Sequence, residues 1–237
     1  MIQEMILTAA LALAADPYWV GKFSGTGDVP APWRVVPYGD IRPTSYRLAL
    51  VAGSPAIEAR FAGSMALLAR PIRVDMGQTP ILCWRWLVNA AVEKADIGRK
   101  SGNDFAARVY VAFDMPDASL SSSTKFKLGM ARRLLGRPIP DATVTYVWDN
   151  RSPVGTAVNS PYTDRQKLIV AQTGNERAGQ WVVERADLAT DFARSFGGKP
   201  GRPVELAVAS DGDNTRSSGL AAFADIHFVG RSEECAT

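Results

Sequence analysis

Two stretches decide the fold, Ile81-Leu-Cys-Trp-Arg-Trp-Leu-Val88 and Phe105-Ala-Ala-Arg-Val-Tyr-Val-Ala-Phe113. In the second, Phe105, Ala107, Val109, Val111 and Phe113 share one parity, and Asp104, Ala106, Arg108 and Tyr110 share the other. Successive side chains of a strand face opposite sides. The spacing therefore predicts a strand with one core face and one polar face. An antiparallel sheet can bury one side and leave the other to water or ligand.

Working outward, residues 45–51 and 56–61 read as a strand pair around the turn Ala52-Gly-Ser-Pro55. Residues 65–74 are apolar, and Pro71 favours a strand there over a helix. Further strands are expected at 18–23, 33–36, 143–148, 167–173, 180–185, 203–210 and 219–229. A short helix over 186–196 is stopped by Gly197-Gly198. Many strands with long loops and one or two short helices predict an all-β antiparallel sandwich.

The chain has 237 residues, 46% of them hydrophobic and 22% charged, enough for a sizeable core. A net charge of +3 by itself neither predicts nor excludes nucleic acid, and no nucleic-acid partner is expected. The cysteines, Cys83 in a strand and Cys235 in the tail, read as one buried and one exposed thiol, with a disulfide as the alternative. The apolar run from Met5 to Ala15 is too short to cross a bilayer. It suits a signal-peptide core, and Ala12-Leu-Ala14 suits cleavage, although no basic residue precedes it. Residues 1–15 are thus expected to be a leader, residues 16–237 a single sandwich domain, and the location periplasmic or secreted.

Parity also collects a polar face. Ala222, Ala224, Ile226 and Phe228 form one apolar row, which turns Phe223, Asp225 and His227 the other way. Glu205 lies opposite Leu206 and Val208, and Arg85 falls between Trp84 and Trp86. The candidate ligand-binding face is Arg85, Asp104, Arg108, Tyr110, Glu205, Asp225 and His227. Such a set serves equally for cross-strand ion pairs. As a site it suits a saccharide, which needs planar apolar surface beside fixed donors and acceptors. His227, the one histidine, is a candidate general base. Asp211-Gly-Asp-Asn-Thr215 offers Asp211, Asp213 and Asn214 as oxygen ligands for structural calcium, and the same residue types build tight turns. No other cofactor is expected.

Lys125, Lys127, Arg132, Arg133 and Arg137 occur with no acidic residue between Ala118 and Pro140. Phe126, Met130 and Leu134 recur every four residues and predict a short surface helix packed by that stripe. A basic amphipathic segment also suits peripheral contact with an anionic membrane.

The ordered motifs Trp84-Arg-Trp86, Asp104 to Phe113, Thr145-Tyr-Val-Trp148, Asp191-Phe with Phe196-Gly197, Asp211 to Thr215 and Asp225-Ile-His-Phe228 resemble the bacterial domain-of-unknown-function 3047 family. The resemblance implies an exported protein with a galactose-binding-like jelly roll, and it brings no activity. The expectation is an envelope domain that binds a saccharide or glycan without catalysis. Two alternatives stand. One is a lyase or glycoside hydrolase for an acidic polysaccharide, with Arg108 neutralising a uronate and Tyr110 or His227 moving the proton, or with a carboxylate pair such as Asp104 with Asp225 or Glu205. The other is a structural envelope protein touching anionic lipid.

Overall fold

Alternating apolar residues fold the chain into strands β1 (Tyr18–Gly21), β2 (Arg34–Pro37), β3 (Ser45–Val51), β4 (Ser54–Ala62), β5 (Ala66–Pro71), β6 (Ile81–Val88), β7 (Arg108–Asp114), β8 (Ala142–Asp149), β9 (Ala157–Ser160), β10 (Thr163–Thr173), β11 (Val182–Asp187), β12 (Arg202–Ala209) and β13 (Ser218–Val229). Two helices, α1 (Ser122–Leu135) and α2 (Leu188–Phe196), complete the elements. This is the computed structural model of the protein, which describes residues 16–135 and 139–236. The expected leader, Ala12 to Ala14 included, and Arg137 lie outside the described residues.

The strands form a sandwich of jelly-roll type. The first sheet runs β11-β6-β13-β4-β3, with β1 paired to the far half of β13. The second runs β2-β5-β12-β7-β8-β10-β9. Pairing is antiparallel throughout except for β8 with β10, which run parallel. The hairpin between β3 and β4 forms as expected, with Val51 opposite Ser54. Its two turn residues, Ala52 and Gly53, both take positive φ, which matches the twist of the flanking strands.

The core lies between the sheets. From β6, Trp84 and Trp86 meet edge to face at 5.3 Å. Across the gap Trp84 reaches Tyr146 of β8 at 5.1 Å, and Trp86 reaches Trp148 at 5.7 Å. Large aromatic rings at tilted angles supply most of the area such an interface can bury. Helix α2 closes one end of the sandwich. The side chain of Asp187 accepts from Thr190 N at 2.9 Å and caps the helix, while Phe192 packs on Phe113 at 4.7 Å.

Three expectations change. Strand β7 begins at Arg108, and Phe105 sits on the outer side with Val147, Leu168 and Val170 rather than on the core side. Strands β6 and β7 belong to different sheets, as do β12 and β13, so the loop from Asp211 to Thr215 crosses between layers. The cysteines are joined: Cys83 and Cys235 form a disulfide with a Cα–Cα distance of 5.7 Å. Cys83 points outward from β6, and the C-terminal tail folds back over it.

Candidate functional site

The expected seven-residue face does not exist as one surface. Arg85, Asp225 and His227 stand on the outer side of the first sheet. Asp104, Arg108, Tyr110 and Glu205 belong to the second sheet and its entry loop. The two groups look away from each other across the sandwich. Parity holds in β12, but the bulge at Asp225 reverses it in the first part of β13, where Phe223 enters the core and Ala222 and Ala224 face outward, and strands of equal parity occupy two sheets.

On the second sheet the outward side chains are mostly covered. Arg108 is wholly enclosed. Its Nε donates to Asp211 Oδ1 at 2.7 Å, its Nη2 pairs with Asp211 Oδ2, and its Nη1 donates to Asn103 Oδ1 at 3.1 Å. The guanidinium also lies 4.5 Å above the Phe105 ring. Burial alone would lower the Arg108 pKa, but the adjoining Asp211 charge reverses this and keeps the arginine protonated. Asp104 accepts from Asn214 Nδ2 at 2.9 Å and from Thr215 N at 2.6 Å. Burial opposes its ionisation, yet these bonds hold its carboxyl below the usual range. Burial pushes the Tyr110 phenol far above its ordinary value. Glu205 is separate and makes an exposed pair with Arg34 at 2.5 Å.

The polar knot gathers Asp104, Asp211 and Asp213, whose oxygens approach within 4.8 Å of one another. Asp104 therefore stands where Asn214 was expected. Asn214 is committed elsewhere: its amide nitrogen donates to Asp104, and its carbonyl oxygen lies 3.2 Å from the Tyr162 hydroxyl. Both oxygens of Asp211 are held by Arg108. A calcium ion entering here would have to displace a buried guanidinium, so these donors do not fit it well. Asp213 keeps one buried oxygen without a partner, and burial, then the Asp104 charge, raise its pKa. The cluster works as an ionic lock that ties the crossing loop to the start of β7.

His227 is buried, stacked on Trp19 at 4.5 Å. Its Nε2 accepts from Ala236 N at 3.0 Å, which places the proton on Nδ1, 2.6 Å from the Asp225 carbonyl. Burial lowers its pKa. Both nitrogens are engaged, so His227 has no lone pair to offer a substrate. It also lies on the other sheet from Arg108 and Tyr110, and the lyase arrangement does not assemble.

On the outer side of the first sheet, Arg85 and Asp225 stay partly exposed. Asp225 sits at a bulge of β13 with φ of 50°, a conformation that costs a non-glycine residue energy and turns its carboxylate toward β6. There Arg85 Nε donates to Asp225 Oδ2 at 2.5 Å, and the guanidinium lies 5.0 Å over the ring of Trp181. Trp181 immediately precedes β11, yet its Nε1 donates to Val51 O of β3 at 3.1 Å. In a flat sheet, strands spaced about 4.8 Å apart would put those two edges roughly 19 Å from each other. The sheet must therefore curve strongly, with this side concave. Its middle is filled: Ala56, Ala222, Ala224 and Leu87 are buried there, with Val51, Trp181 and Leu220 packed against them. Trp181 was missed because it read only as part of a strand. Its parity opposite the core residue Val182 was the available signal: a tryptophan facing outward.

A family model described as "Protein of unknown function (DUF3047)" matches residues 31–227. No curated protein matches the chain. Among solved structures it is similar to endoglucanase 3 of Trichoderma harzianum, from family GH12, at 6% identity and a TM-score of 0.36, covering 86% of this chain and 100% of that one. A likeness that loose carries no activity across.

Proposed function

The chain belongs to the DUF3047 family, whose description assigns no activity, and from its own residues we propose an exported envelope protein that binds a saccharide without catalysis. The binding surface is the concave side of the first sheet, centred on Arg85, Asp225 and Trp181. The observation that carries this reading is the Arg85 guanidinium held between the Asp225 carboxylate and the indole face. A sugar ring stacks its C–H face on an indole, and its hydroxyls need rigid charged partners beside it. Arg85 and Asp225 are each about one-fifth exposed at the side chain, so both can reach a ligand. The pair is neutral overall, which favours a neutral saccharide.

Export is supported by the disulfide between Cys83 and Cys235, because such bonds persist in oxidising compartments. The absence of catalysis is supported by the engaged nitrogens of His227. The test is calorimetric titration with a panel of neutral and acidic oligosaccharides. Arg85→Ala and Trp181→Ala are each expected to weaken binding by at least about tenfold, whereas Glu205→Ala leaves it unchanged. Equal affinity in all three variants overturns the assignment.

A further inference from the structure

Helix α1 is turned the opposite way from the packing its sequence predicts. Phe126 is 70% exposed and Met130 is 52% exposed, whereas Leu128 is buried. At 100° per residue, Phe126, Met130 and Arg133 share one face, and Leu128 lies on the far side of the helix. Arg132 explains the orientation. Its Nε donates to Ile139 O at 2.9 Å and its Nη2 to Asp141 Oδ1 at 2.8 Å, which draws the Leu128 side of the helix onto the body. The side chain of Leu134, the third residue of the expected stripe, lies outside the described set.

The cations around the outward apolar pair are uncompensated. Lys125, Lys127 and Arg133 are exposed and enter no ion pair among the described residues. No acidic residue occurs from Ala118 to Pro140. Helix α1 joins the end of β7 to the start of β8, the same end of the sandwich at which β12 begins. Helix α2 and its connection to β12 add Arg194 and Lys199, which line a shallow crevice with Thr190 and Arg231. The ionic lock of Asp104, Asp211 and Asp213 lies at the other end of β7.

We propose that α1 seats this end of the sandwich on an anionic lipid surface, with Phe126 and Met130 inserted among the headgroups and Lys125, Lys127 and Arg133 paired to their phosphates. An apolar face ringed by cations is what an interfacial helix requires. The charge complementarity selects anionic lipid over a neutral bilayer, and each cation near such a surface contributes roughly fivefold in partition. This docking is independent of saccharide binding, which uses the outer side of the first sheet.

Flotation of the full chain with vesicles tests it. Vesicles of phosphatidylglycerol and phosphatidylcholine are compared with phosphatidylcholine alone, at 0.1 and 1 M salt. The protein is expected to float with the anionic vesicles at low salt and to be released at high salt. Phe126→Ser with Met130→Ser should lower partition at least about tenfold. Lys125→Glu with Lys127→Glu and Arg133→Glu should lower it at least about a hundredfold. All three charge sites are exposed, and an unchanged circular dichroism spectrum verifies folding. Equal flotation with neutral vesicles, no flotation, or flotation indifferent to both variants overturns the proposal. So does a lipid-free dimer that the Phe126/Met130 variant dissociates, since the face would then belong to a second copy.

Discussion

The indole of Trp181 donates to the carbonyl of Val51 across the outer face of the first sheet, linking the start of one edge strand to the end of the opposite edge. Replacing Trp181 by Phe keeps a flat ring and deletes this bond. A half-buried hydrogen bond of this kind contributes about 1 kcal/mol. Urea denaturation of Trp181→Phe should show a loss near that size with an unaltered m-value. An equal stability would mean that the contact does not hold the curvature.

The buried pair of Arg108 and Asp211 makes a larger demand. Arg108→Met leaves Asp211 beside Asp104 and Asp213 with no opposing charge. Breaking one partner of a buried pair costs about 3–5 kcal/mol. Arg108→Met with Asp211→Leu should recover much of that loss, because both charges are then gone. Denaturant midpoints of the two variants decide it; a double variant no better than the single one would contradict the lock.

Glu184 gives a pH dependence of definite sign. It faces the interior, accepts from Trp86 Nε1 at 3.1 Å, and burial pushes its pKa up to about 7. The unfolded value is about 4.3. The folded state therefore holds the proton more tightly, and its contribution is present at acidic pH and lost as pH rises through about 7. Thermal melts from pH 5 to 8 should show a fall on the order of 2 kcal/mol from this group. Glu184→Gln should flatten that slope.

The disulfide closes a segment of 152 residues. Reduction, or Cys235→Ala, should cost about 2–4 kcal/mol. Thiol counting before and after dithiothreitol, together with melting temperatures, reads this out. Two reactive thiols in the untreated, denatured protein would exclude the bond.

Added calcium should leave the melting temperature unchanged at millimolar concentration. Arg108 already neutralises Asp211, and Asn214 is turned away as a ligand. A calcium-dependent rise would restore the ion-binding reading of this loop.

Strand parity was legible because core side chains obey a period of two. The rows Ile57, Ala59, Phe61 and Val109, Val111, Phe113 all lie in the interior as spaced. Parity names a side of a strand, but it does not name the sheet or say what covers that side. Arg85 and Arg108 have the same pattern in sequence, yet one stays partly exposed and the other is enclosed. The difference arises from contacts far apart in the chain, such as Asp211 reaching Arg108 over 103 positions. Likewise Phe126 and Met130 look like a packing stripe by spacing, and only the bond from Arg132 to Asp141 shows which side meets the body. Spacing alone does not show that the tail returns over Cys83, whose side chain lies in the outer layer with Ile81 and Val229.

Strand β1 and the tail converge on one histidine: Trp19 stacks on His227, and Ala236 bonds to its ring. Residues 16 and 236 thus approach the same sheet from two directions. A short linker between them could close the chain into a circle, and new ends could be cut in the long connection between β6 and β7 without severing any ladder. Such a permutant would retain the sandwich while moving its attachment point, a practical handle for presenting either face of the protein to a chosen surface.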